Sequence, residues 1–514
     1  MDRKNWESRI SHPDSIFING VWAKPSTDRK LCVVSPTSEI PLIEVAEAVE
    51  ADVDRAVAAA RTAFDEGPWP RLSPAERGEV LKALGREMEK RINDLAQAWI
   101  DQVGVVRSFA ERSVPNAVRQ FQYYGDLAAT YPWVEERVSP YADDKALLVK
   151  EAVGVCATIA PWNAPLVTML DKVIPALLTG CTVVMKPAPQ TPLEGYIIAE
   201  AAEAAGLPPG VLNLLPADRA ASDYLTRHAW IDKVAFTGST AVGRRILENS
   251  ANRIGRVALE LGGKSAAIIL DDYDVQAAAE TMARAITIMC GQTCSNLSRI
   301  LVPKSRHDDF VDAMSAALRS IKVGDPDLLE SQMGPLTMQQ QYDKVTGYFE
   351  RGRAEGAKIA TGGGRPEGMD CGFFVEPTLF TAVDNSMAIA QDEIFGPVSS
   401  VITYTDLPEA IRIANDTIYG LNGSVFTNDI DQAYKVSRAV RTGSMGHNGF
   451  KPGLGVSFGG FKQSGLGRES GLEGIREYCE LKTIIIRDVP DGVAEGHRLE
   501  TASRPTVNSD HVAA

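Results

Sequence analysis

The sequence predicts an α/β protein built around parallel sheets. Short apolar stretches rich in β-branched residues, such as those at 153–160 and 181–186, are each followed by a stretch whose apolar residues have helical spacing. Strands that alternate with helices in this way form a parallel sheet with helices on both faces. Such sheets bind ligands beyond the carboxyl ends of their strands, and glycine-containing loops follow several of the predicted strands.

The composition is that of a globular protein and limits the classes of function. The chain has 514 residues, 44% hydrophobic and 23% charged, a length that favours two or three domains. A net charge of −14 argues against a nucleic-acid or anionic-membrane partner. The seven cysteines lack paired spacing, which indicates reduced thiols, and no histidine lies near Cys290 or Cys294, so we expect no metal site. Since we find neither a signal peptide nor a stretch of roughly 20 apolar residues, we expect a cytoplasmic protein.

Local signals assign the secondary structure along the chain. Asn19-Gly20 between two short apolar runs predicts a hairpin. Ser73, Pro74 and Glu76 form a capping box that starts a helix, and residues 76–130 have the spacing of long amphipathic helices. The remaining predictions are helices at 53–64, 165–178, 193–205 and 283–290, and strands at 145–150, 211–215, 234–236, 266–270, 299–302, 398–404 and 480–486.

Cys294 is the residue with the clearest chemical potential. It follows the helical run at 283–290 and stands in a loop of small polar residues at 291–296. A thiolate is a strong nucleophile, and proteins activate it by lowering its pKa. Free cysteines are more often buried as small hydrophobic residues, so both interpretations stay open for Cys294 alone.

Three further positions have both a chemical and a structural interpretation. The glycine-bounded loop at 238–243 opens a helix, and is either a phosphate site or a tight turn. Glu260 ends an apolar run, so it is either a general base or a solvated strand end. Asn163 lies among prolines and is either an oxyanion donor or a turn residue.

Together, these stretches resemble the NAD(P)-dependent aldehyde dehydrogenase superfamily over residues 15–490. The motifs occur in the family's order and at its approximate spacing. They are Pro161-Trp162-Asn163, Lys186-Pro187, Phe236-Thr237-Gly238-Ser239, Leu259-Glu260-Leu261-Gly262-Gly263-Lys264, Gly291-Gln292-Thr293-Cys294, Glu393-Ile394-Phe395-Gly396-Pro397 and Phe458-Gly459-Gly460-Phe461-Lys462. The resemblance implies oxidation of an aldehyde to a carboxylic acid through a cysteine thiohemiacetal, hydride transfer to the cofactor and hydrolysis of a thioacyl-enzyme.

The resemblance also implies roles for individual residues. Cys294 would attack the aldehyde, Asn163 would stabilise the oxyanion and Glu260 would activate the hydrolytic water. Lys172 and Glu469 match positions that relay protons in some members. The positions that match cofactor contacts are Ala160, Pro161, Trp162, Lys186, Pro189, Phe236, Gly238, Ser239, Gly243, Leu261, Glu393 and Phe395. The positions that match the substrate tunnel are Thr168, Met169, Asp171, Thr293, Ser295 and Phe458.

Two positions depart from the family's pattern. Pro189 stands where many members have a glutamate that pairs with the adenosine ribose, so a ribose acceptor and a charge that would repel a 2′-phosphate are both missing. No arginine is added beside this motif, so we expect NAD as the cofactor, with NADP as the alternative. Asp171 stands where many members carry a bulky aromatic residue, which leaves the shape of the pocket and the aldehyde open.

The implied fold has three parts. A Rossmann-like cofactor domain with a parallel sheet would take residues 1–130 and 151–262, and an α/β catalytic domain would take 263–465. A small β oligomerisation flap would take 131–150 and 470–490, which leads us to expect a homodimer or homotetramer. The tail at 491–514 is left unassigned.

Three alternatives differ in class from this hypothesis. A CoA-acylating aldehyde dehydrogenase would not need Glu260 as a deacylating base. A Cys-His hydrolase would need a histidine motif that we do not find, and would leave the cofactor loops unexplained. A catalytically silent relative would not need the intact set of Cys294, Asn163 and Glu260.

Overall fold

The computed structural model of the protein describes residues 6–138, 144–450 and 453–489. The sequence patterns lead to helices and strands close to the predicted bounds. The strands are β1 (Ile16–Ile18), β2 (Val21–Ala23), β3 (Lys30–Val34), β4 (Pro41–Ala46), β5 (Val134–Val138), β6 (Lys145–Ala152), β7 (Val155–Ile159), β8 (Thr182–Lys186), β9 (Leu212–Leu214), β10 (Lys233–Thr237), β11 (Arg256–Glu260), β12 (Ala266–Ile269), β13 (Arg299–Pro303), β14 (Lys358–Thr361), β15 (Thr378–Thr381), β16 (Val398–Tyr404), β17 (Gly423–Phe426), β18 (Gly446–His447), β19 (Gly465–Leu466) and β20 (Cys479–Ile486).

The second helix begins at the predicted capping box. At the start of the second helix, the backbone N–H of Glu76 donates to Ser73 Oγ at 3.2 Å, and the N–H of Ser73 donates to Glu76 Oε2 at 2.7 Å. The helices are α1 (Glu50–Asp65), α2 (Pro74–Glu89), α3 (Ile92–Val103), α4 (Arg107–Val118), α5 (Gln120–Leu127), α6 (Pro165–Thr179), α7 (Leu193–Ala204), α8 (Arg219–Arg227), α9 (Thr240–Ala251), α10 (Val275–Thr287), α11 (His307–Arg319), α12 (Gln339–Ala354), α13 (Ala388–Gln391), α14 (Leu407–Asn415), α15 (Ile430–Ala439) and α16 (Gly471–Arg476).

The first large sheet has the order β19-β11-β10-β7-β8-β9-β1-β2. Its central strands β11, β10, β7, β8 and β9 are parallel, with β7, β8 and β10 buried throughout, as expected of a sheet covered on both faces. The β1–β2 hairpin and β19 join its two edges antiparallel. The predicted α/β class with parallel sheets is therefore confirmed, although this sheet is mixed at its edges.

The second large sheet has the order β14-β15-β16-β13-β12-β17-β18. All its pairs are parallel except β14 with β15. The carboxyl end of β11 in the first sheet lies only five residues before β12 in the second, and residues 261–265 make that short connection. The chain thus passes from one sheet to the other at the edge where ligands bind in such folds.

A third, antiparallel sheet has the order β20-β6-β5 and joins residues near 135 and 480. Because β20 pairs only with β6 among the described strands, its other side is a free edge. The domain bounds given above stay predictions. Residues 491–514 and part of the predicted flap, at 139–143, lie outside the described residues.

One helix prediction is wrong at its end. The helical run predicted at 283–290 stops at Thr287, and Met289 and Cys290 have φ of 52° and 54°, in the left-handed region. Gly291 follows with φ of 69°, and a Cβ there would lie 2.2 Å from the carbonyl of Gly396. Apolar spacing did not reveal this turn, because the constraint comes from the distant loop against which residue 291 packs.

No helix among the described residues is long and apolar enough to cross a membrane.

Arg299 is a buried residue that ties the second sheet to the loops around it. It donates from Nε to the carbonyl of Lys264 at 2.9 Å, and from its two terminal nitrogens to the carbonyls of Ile413 and Ala414 at 2.9 and 2.8 Å. A further bond joins it to Asn385 Oδ1 at 3.0 Å. Burial lowers the pKa of Arg299 to about 10, still well above neutral pH.

We therefore predict that Arg299→Met destabilises the fold by at least about 3 kcal/mol, since the buried carbonyls lose their donor. The free energy of unfolding, measured with denaturant and tryptophan fluorescence, would report this loss. Arg319→Met is the matched control, because Arg319 is exposed at the end of α11. Equal unfolding midpoints for the two variants would contradict the prediction.

Candidate active site

The loop that carries Cys294 is held firmly by its neighbours. Gln292 is buried, accepts from the backbone N–H of Thr337 at 3.0 Å and donates to the carbonyl of Met289 at 3.0 Å. Asn422 donates to the carbonyl of Ser295 at 2.9 Å. Cys294 itself is partly exposed, as are Thr293 and Ser295, whose hydroxyl oxygens lie 3.3 Å apart. Cys294 therefore lies on a loop whose backbone is held by hydrogen bonds from both sides.

Two glycines bring the end of β11 against this loop. A Cβ on Gly263 would lie 2.4 Å from the carbonyl oxygen of Cys294, closer than any side chain tolerates. A Cβ on Gly262 would lie 2.5 Å from Glu393 Oε2. The backbone N–H of Gly263 also donates to Glu393 Oε1 at 3.0 Å. The glycines are thus required by close approach, and they place Glu260, Cys294 and Glu393 around one site.

Asn163 reaches the same loop from the turn between β7 and α6. Its Nδ2 donates to the carbonyl of Gln292 at 2.8 Å, and its own carbonyl accepts from Trp99 Nε1 at 2.8 Å. A side-chain amide has two N–H donors, and this bond uses one of them. The second has no partner among the described residues, and the role of Asn163 as an oxyanion donor stays a prediction.

Burial and nearby carboxylates oppose ionisation of the Cys294 thiol. Desolvation, followed by the charges of Glu393, Glu260 and Glu469, raises the pKa of Cys294 to about 12. The thiol is therefore protonated at neutral pH in the free protein. A base is needed before it can act as a nucleophile.

Glu260 is a buried carboxyl group without a partner. It is only 3% exposed, and neither of its oxygens accepts a hydrogen bond from the described residues. Burial first, and then the charge of Glu469, raise the pKa of Glu260 well above its usual range, while Lys172 opposes this. A Cβ on Gly459 would lie 2.7 Å from Glu260 Oε1, so that glycine leaves room for the group. The interpretation of Glu260 as a solvated strand end is wrong.

Lys172 and Glu469 form a buried ion pair behind Glu260. Lys172 Nζ donates to Glu469 Oε1 at 2.6 Å, to Thr237 Oγ1 at 2.5 Å and to the carbonyl of Thr168 at 3.1 Å. Lys172 is fully buried, and these three bonds satisfy its donors. The structure therefore brings both predicted relay residues together, and adds Thr237, which sequence reasoning had not placed here.

The residues predicted for the substrate tunnel fall into two groups. Thr168, Asp171 and Phe458 are partly exposed, and Phe458 exchanges two backbone hydrogen bonds of 2.8 Å with Glu469. Met169 is only 1% exposed and lies in the core, with its sulfur 3.6 Å from the hydroxyl of Thr158. Met169 thus packs behind the first group, whose side chains keep some open surface.

A cleft lies against the loop of Cys294, at Thr293, and Glu393 lines it too. The edge of the Trp162 ring meets the ring of Phe395 at 5.3 Å between centroids, and Phe395 has φ of 62°, which turns it toward that contact. The residues that line the cleft are Gly263, Lys264, Gly291, Thr293, Asn296, Ser298, Glu393, Ile394, Phe395, Gly396 and Val398. Two predicted cofactor residues, Glu393 and Phe395, are among them.

The other predicted cofactor residues follow the carboxyl ends of β7, β8 and β10. Lys186 ends β8; it is buried, and no hydrogen bond or ion pair holds its ammonium among the described residues. Burial lowers the pKa of Lys186 to about 8, and Asp218 opposes the shift. Ser239 is exposed and caps α9, accepting from the N–H of Val242 at 3.4 Å. A helix N-terminus of this kind attracts phosphate.

The remaining predicted cofactor residues lie at or after the carboxyl ends of the parallel strands of the first sheet. The N–H of Ala160 donates to the carbonyl of Lys186 at 3.2 Å, and Pro161 and Pro189 are partly exposed nearby in sequence. The N–H of Gly238 donates to the carbonyl of Glu260 at 3.0 Å. Phe236, Gly243 and Leu261 are buried, and a Cβ on Gly243 would lie 2.6 Å from the side chain of Leu261.

Lys264 is a site residue to which sequence reasoning gave no role. It is buried, lines the cleft and has a pKa lowered to about 7 by burial and by Arg299. The signal was its place at the end of the glycine motif. No group of three or more His, Cys, Asp or Glu side chains within the described ranges is arranged to hold a metal ion.

The raised pKa of Cys294 predicts a steep pH dependence of its alkylation in the free protein. Below a pKa of about 12, the thiolate fraction rises tenfold for each pH unit, so the rate with iodoacetamide should rise about tenfold per unit from pH 7 to pH 10. Mass spectrometry of the Cys294 peptide would give this rate, with Cys294→Ala as the control. A rate that levels off near pH 8 would contradict the assignment.

Comparison with known proteins places this site in a family. The model of the aldehyde dehydrogenase family matches residues 22–484. Geranial dehydrogenase of Castellaniella defragrans is 40% identical over 472 residues, which cover 92% of this chain and 98% of that protein. A crystal structure of a Mycobacterium tuberculosis aldehyde dehydrogenase with NAD+ is 42% identical, with a TM-score of 0.90 and coverage of 92% and 97%.

A third relative is a Cys-to-Ala mutant of aldehyde dehydrogenase C from Pseudomonas syringae, solved with NAD+ and octanal. It is 37% identical, with a TM-score of 0.89 and coverage of 94% of this chain and 98% of that one. The family model spans most of the sequence and the fold is shared over its length. The chain belongs to the aldehyde dehydrogenase family.

Proposed function

We propose that the protein oxidises an aldehyde to a carboxylic acid with NAD, through a covalent intermediate on Cys294. The observation that carries the proposal is the convergence of Cys294, Asn163 and Glu260 on one site, through the approach of Gly263 to the Cys294 carbonyl and the bond from Asn163 to Gln292. A nucleophile, an oxyanion donor and a base are the groups that acyl chemistry requires.

The residues at the sheet edge fit NAD. When bound, NAD accepts the hydride from the reacting carbon. The unpaired ammonium of Lys186 would hold the adenosine ribose, the exposed cap of α9 at Ser239 would hold the pyrophosphate, and the Glu393 carboxylate would hold the nicotinamide ribose. The relative from Mycobacterium tuberculosis was solved with NAD+, which supports the same cofactor here.

In the first half of the reaction, Cys294 attacks the aldehyde carbon. Its raised pKa requires a base, and Glu260 is a buried carboxyl group whose charge acts on the thiol. The oxygen of the thiohemiacetal then carries negative charge, which the free N–H of Asn163 and the backbone N–H of Cys294 stabilise. Removal of hydride leaves a thioester on Cys294.

In the second half, water hydrolyses that thioester. Glu260 accepts a proton from the water, because neither of its oxygens is committed to another donor. CoA-dependent acyl transfer would need no such base, so a buried and unpartnered carboxyl group at this place favours hydrolysis.

The proposal extends to the substrate, the assembly and the compartment. Two relatives are linked to geranial and octanal, so we propose a medium-length aliphatic or terpenoid aldehyde as the substrate.

We propose a homodimer or homotetramer that extends the three-stranded sheet through the free edge of β20, where Ile485 is 63% exposed. We also propose a cytoplasmic location, on the basis of the unpaired cysteines.

Glu260→Gln should separate the two halves of the reaction. The variant keeps the shape but loses the proton acceptor, so the first turnover should still release about one NADH per active site. Steady-state turnover should fall by roughly 10² to 10⁴, the usual contribution of a positioned base. Stopped-flow absorbance and the mass of the Cys294 peptide would show the burst and the trapped acyl group. Cys294→Ala should lack both while still binding NAD, and near-wild-type turnover of Glu260→Gln would place the base elsewhere.

Cofactor choice is the second test. Because Pro189 cannot accept from the ribose or repel a 2′-phosphate, we expect NAD to be preferred over NADP by less than about a hundredfold, or ~2.7 kcal/mol. Pro189→Glu should widen this ratio of kcat/KM, whereas Pro189→Ala should leave it unchanged. Undetectable activity of the wild-type enzyme with NADP would refute the argument.

A further inference from the structure

One face of α6 keeps open surface and leads away from the Cys294 loop. Val167, Thr168 and Asp171 are partly exposed, and spacings of three and four residues place them on one side of the helix. The helix starts beside Asn163, which donates a hydrogen bond to the Cys294 loop. From that start to Asp171 the helix rises about 9 Å along its axis. Asp171 therefore stands at the far end of a face that begins at the proposed reaction centre.

Ser470 contacts Asp171 at that far end. Its hydroxyl donates to Asp171 Oδ1 at 3.3 Å. Ser470 has φ of 60°, in the left-handed region that strains a residue with a Cβ, and its carbonyl accepts from the N–H of Gly474 at 2.9 Å. The backbone that carries this hydroxyl is thus held beside Asp171 at a cost in strain, as is common at ligand sites.

Asp171 keeps capacity to accept further hydrogen bonds. A carboxylate has about four acceptor positions, and the side chains of Ser470 and Gln120 occupy two of them. The ammonium of Lys172, the next residue in the chain, is held by Glu469 at 2.6 Å. In the described part of the chain, no lysine, arginine or histidine forms an ion pair with Asp171. The carboxyl group therefore has both open surface and unfilled acceptor positions.

The backbone next to Ser470 packs against a segment with exposed aliphatic side chains. A Cβ on Gly471 would lie 2.9 Å from the carbonyl oxygen of Gly455. Leu454 and Val456, on either side of Gly455, are 48% and 63% exposed. A carboxyl group with unfilled acceptor positions close to exposed aliphatic surface suits a ligand with an apolar stem and a polar end.

The ionisation of Asp171 favours a hydroxyl group as that polar end. Burial, followed by the charge of Glu469, raises the pKa of Asp171 to about 7, while Lys172, Ser470 and Gln120 oppose the shift. Both forms of the carboxyl group are therefore present at neutral pH. A hydroxyl group donates to the carboxylate and accepts from the carboxylic acid, whereas a cation is held by the ionised form alone.

We propose that Asp171 binds a hydroxyl group at the end of the aldehyde substrate remote from the carbonyl. The inference rests on the proposed function and narrows its substrate to a hydroxylated aldehyde of medium length, whose product is a hydroxy acid. A plain alkyl chain would displace water from Asp171 without giving it a donor. Since a polar group loses free energy when it is buried without a partner, the hydroxylated substrate is preferred.

Pairs of aldehydes that differ only in a terminal hydroxyl group test this role. Octanal is compared with 8-hydroxyoctanal, and decanal with 10-hydroxydecanal, in steady-state assays with NAD. We expect kcat/KM of the wild type to favour the hydroxylated member of at least one pair by about tenfold, the usual effect of one hydrogen bond to a charged group. The difference should lie mainly in KM, because the contact is remote from the reacting carbon.

Variants at Asp171 should change this preference in a set order. Asp171→Leu lacks an acceptor and should favour the plain alkanal, with a lower KM for it than the wild type has. Asp171→Ala should also lose the preference for the hydroxyl group, and it serves as a second variant should the leucine disturb folding. Asp171→Asn keeps an acceptor oxygen and should retain part of the preference.

Glu473→Gln is the matched control, since it removes an exposed carboxylate from α16 and should leave the ratio of kcat/KM unchanged. Equal kcat/KM within both pairs in the wild type would overturn the inference, as would a hydroxyl preference that persists in Asp171→Leu and Asp171→Ala. Failure of the proposed function is distinct, because the wild type would then form no NADH from any of the four aldehydes. In that case calorimetry with octanoate and 8-hydroxyoctanoate would still decide whether Asp171 binds the hydroxyl group.

Discussion

The site depends on the close approach of two backbone segments at the point where the chain passes from the first sheet to the second. At Gly263 the peptide lies against the carbonyl of Cys294 with no room for a Cβ, and at Gly262 it lies against the carboxylate of Glu393. A side chain at either position would push the loop of Cys294 away from β11. The separation between Cys294 and Glu260, the proposed nucleophile and base, is therefore set by main-chain packing.

Electrostatics in this space follows from the packing. Burial removes Cys294 and Glu260 from water, and like charges act on one another more strongly there. Burial and neighbouring carboxylates therefore both raise the pKa values of Cys294 and Glu260. Two cations, Lys172 and Arg468, oppose the shift at Glu260, and Lys172 is fixed by three hydrogen bonds. Perturbed groups of this kind concentrate where chemistry is done.

The sequence predicted elements whose signals are local. The capping box at Ser73, the hairpin at Asn19-Gly20 and the buried strands around Cys156 are all present near the expected bounds. The strands β14, β15, β17 and β18, each of four or fewer residues, are among those that the sequence analysis did not predict. The turn at Met289 and Cys290 was missed because it is imposed by packing between residues distant in sequence.

The difference between local signals and packing constraints also holds within the site. Sequence motifs predicted Cys294, Asn163 and Glu260 as site residues, but their burial and their hydrogen-bond partners are properties of the folded chain. The glycine motif marks the place of Lys264 but not its burial beside the cleft, and nothing around Thr237 indicates that its hydroxyl accepts a hydrogen bond from Lys172. Met169 is 1% exposed and packs in the core, and its expected place near the substrate stays a prediction.

The high pKa of Cys294 has a consequence for the enzyme at rest. Peroxides and other oxidants attack the thiolate, and the ladder from sulfenic to sulfonic acid begins there. With a pKa of about 12, the protein at rest holds almost no thiolate at Cys294. For the proposed nucleophile, the burial and the carboxylates that keep the thiol protonated therefore also slow its oxidation between turnovers.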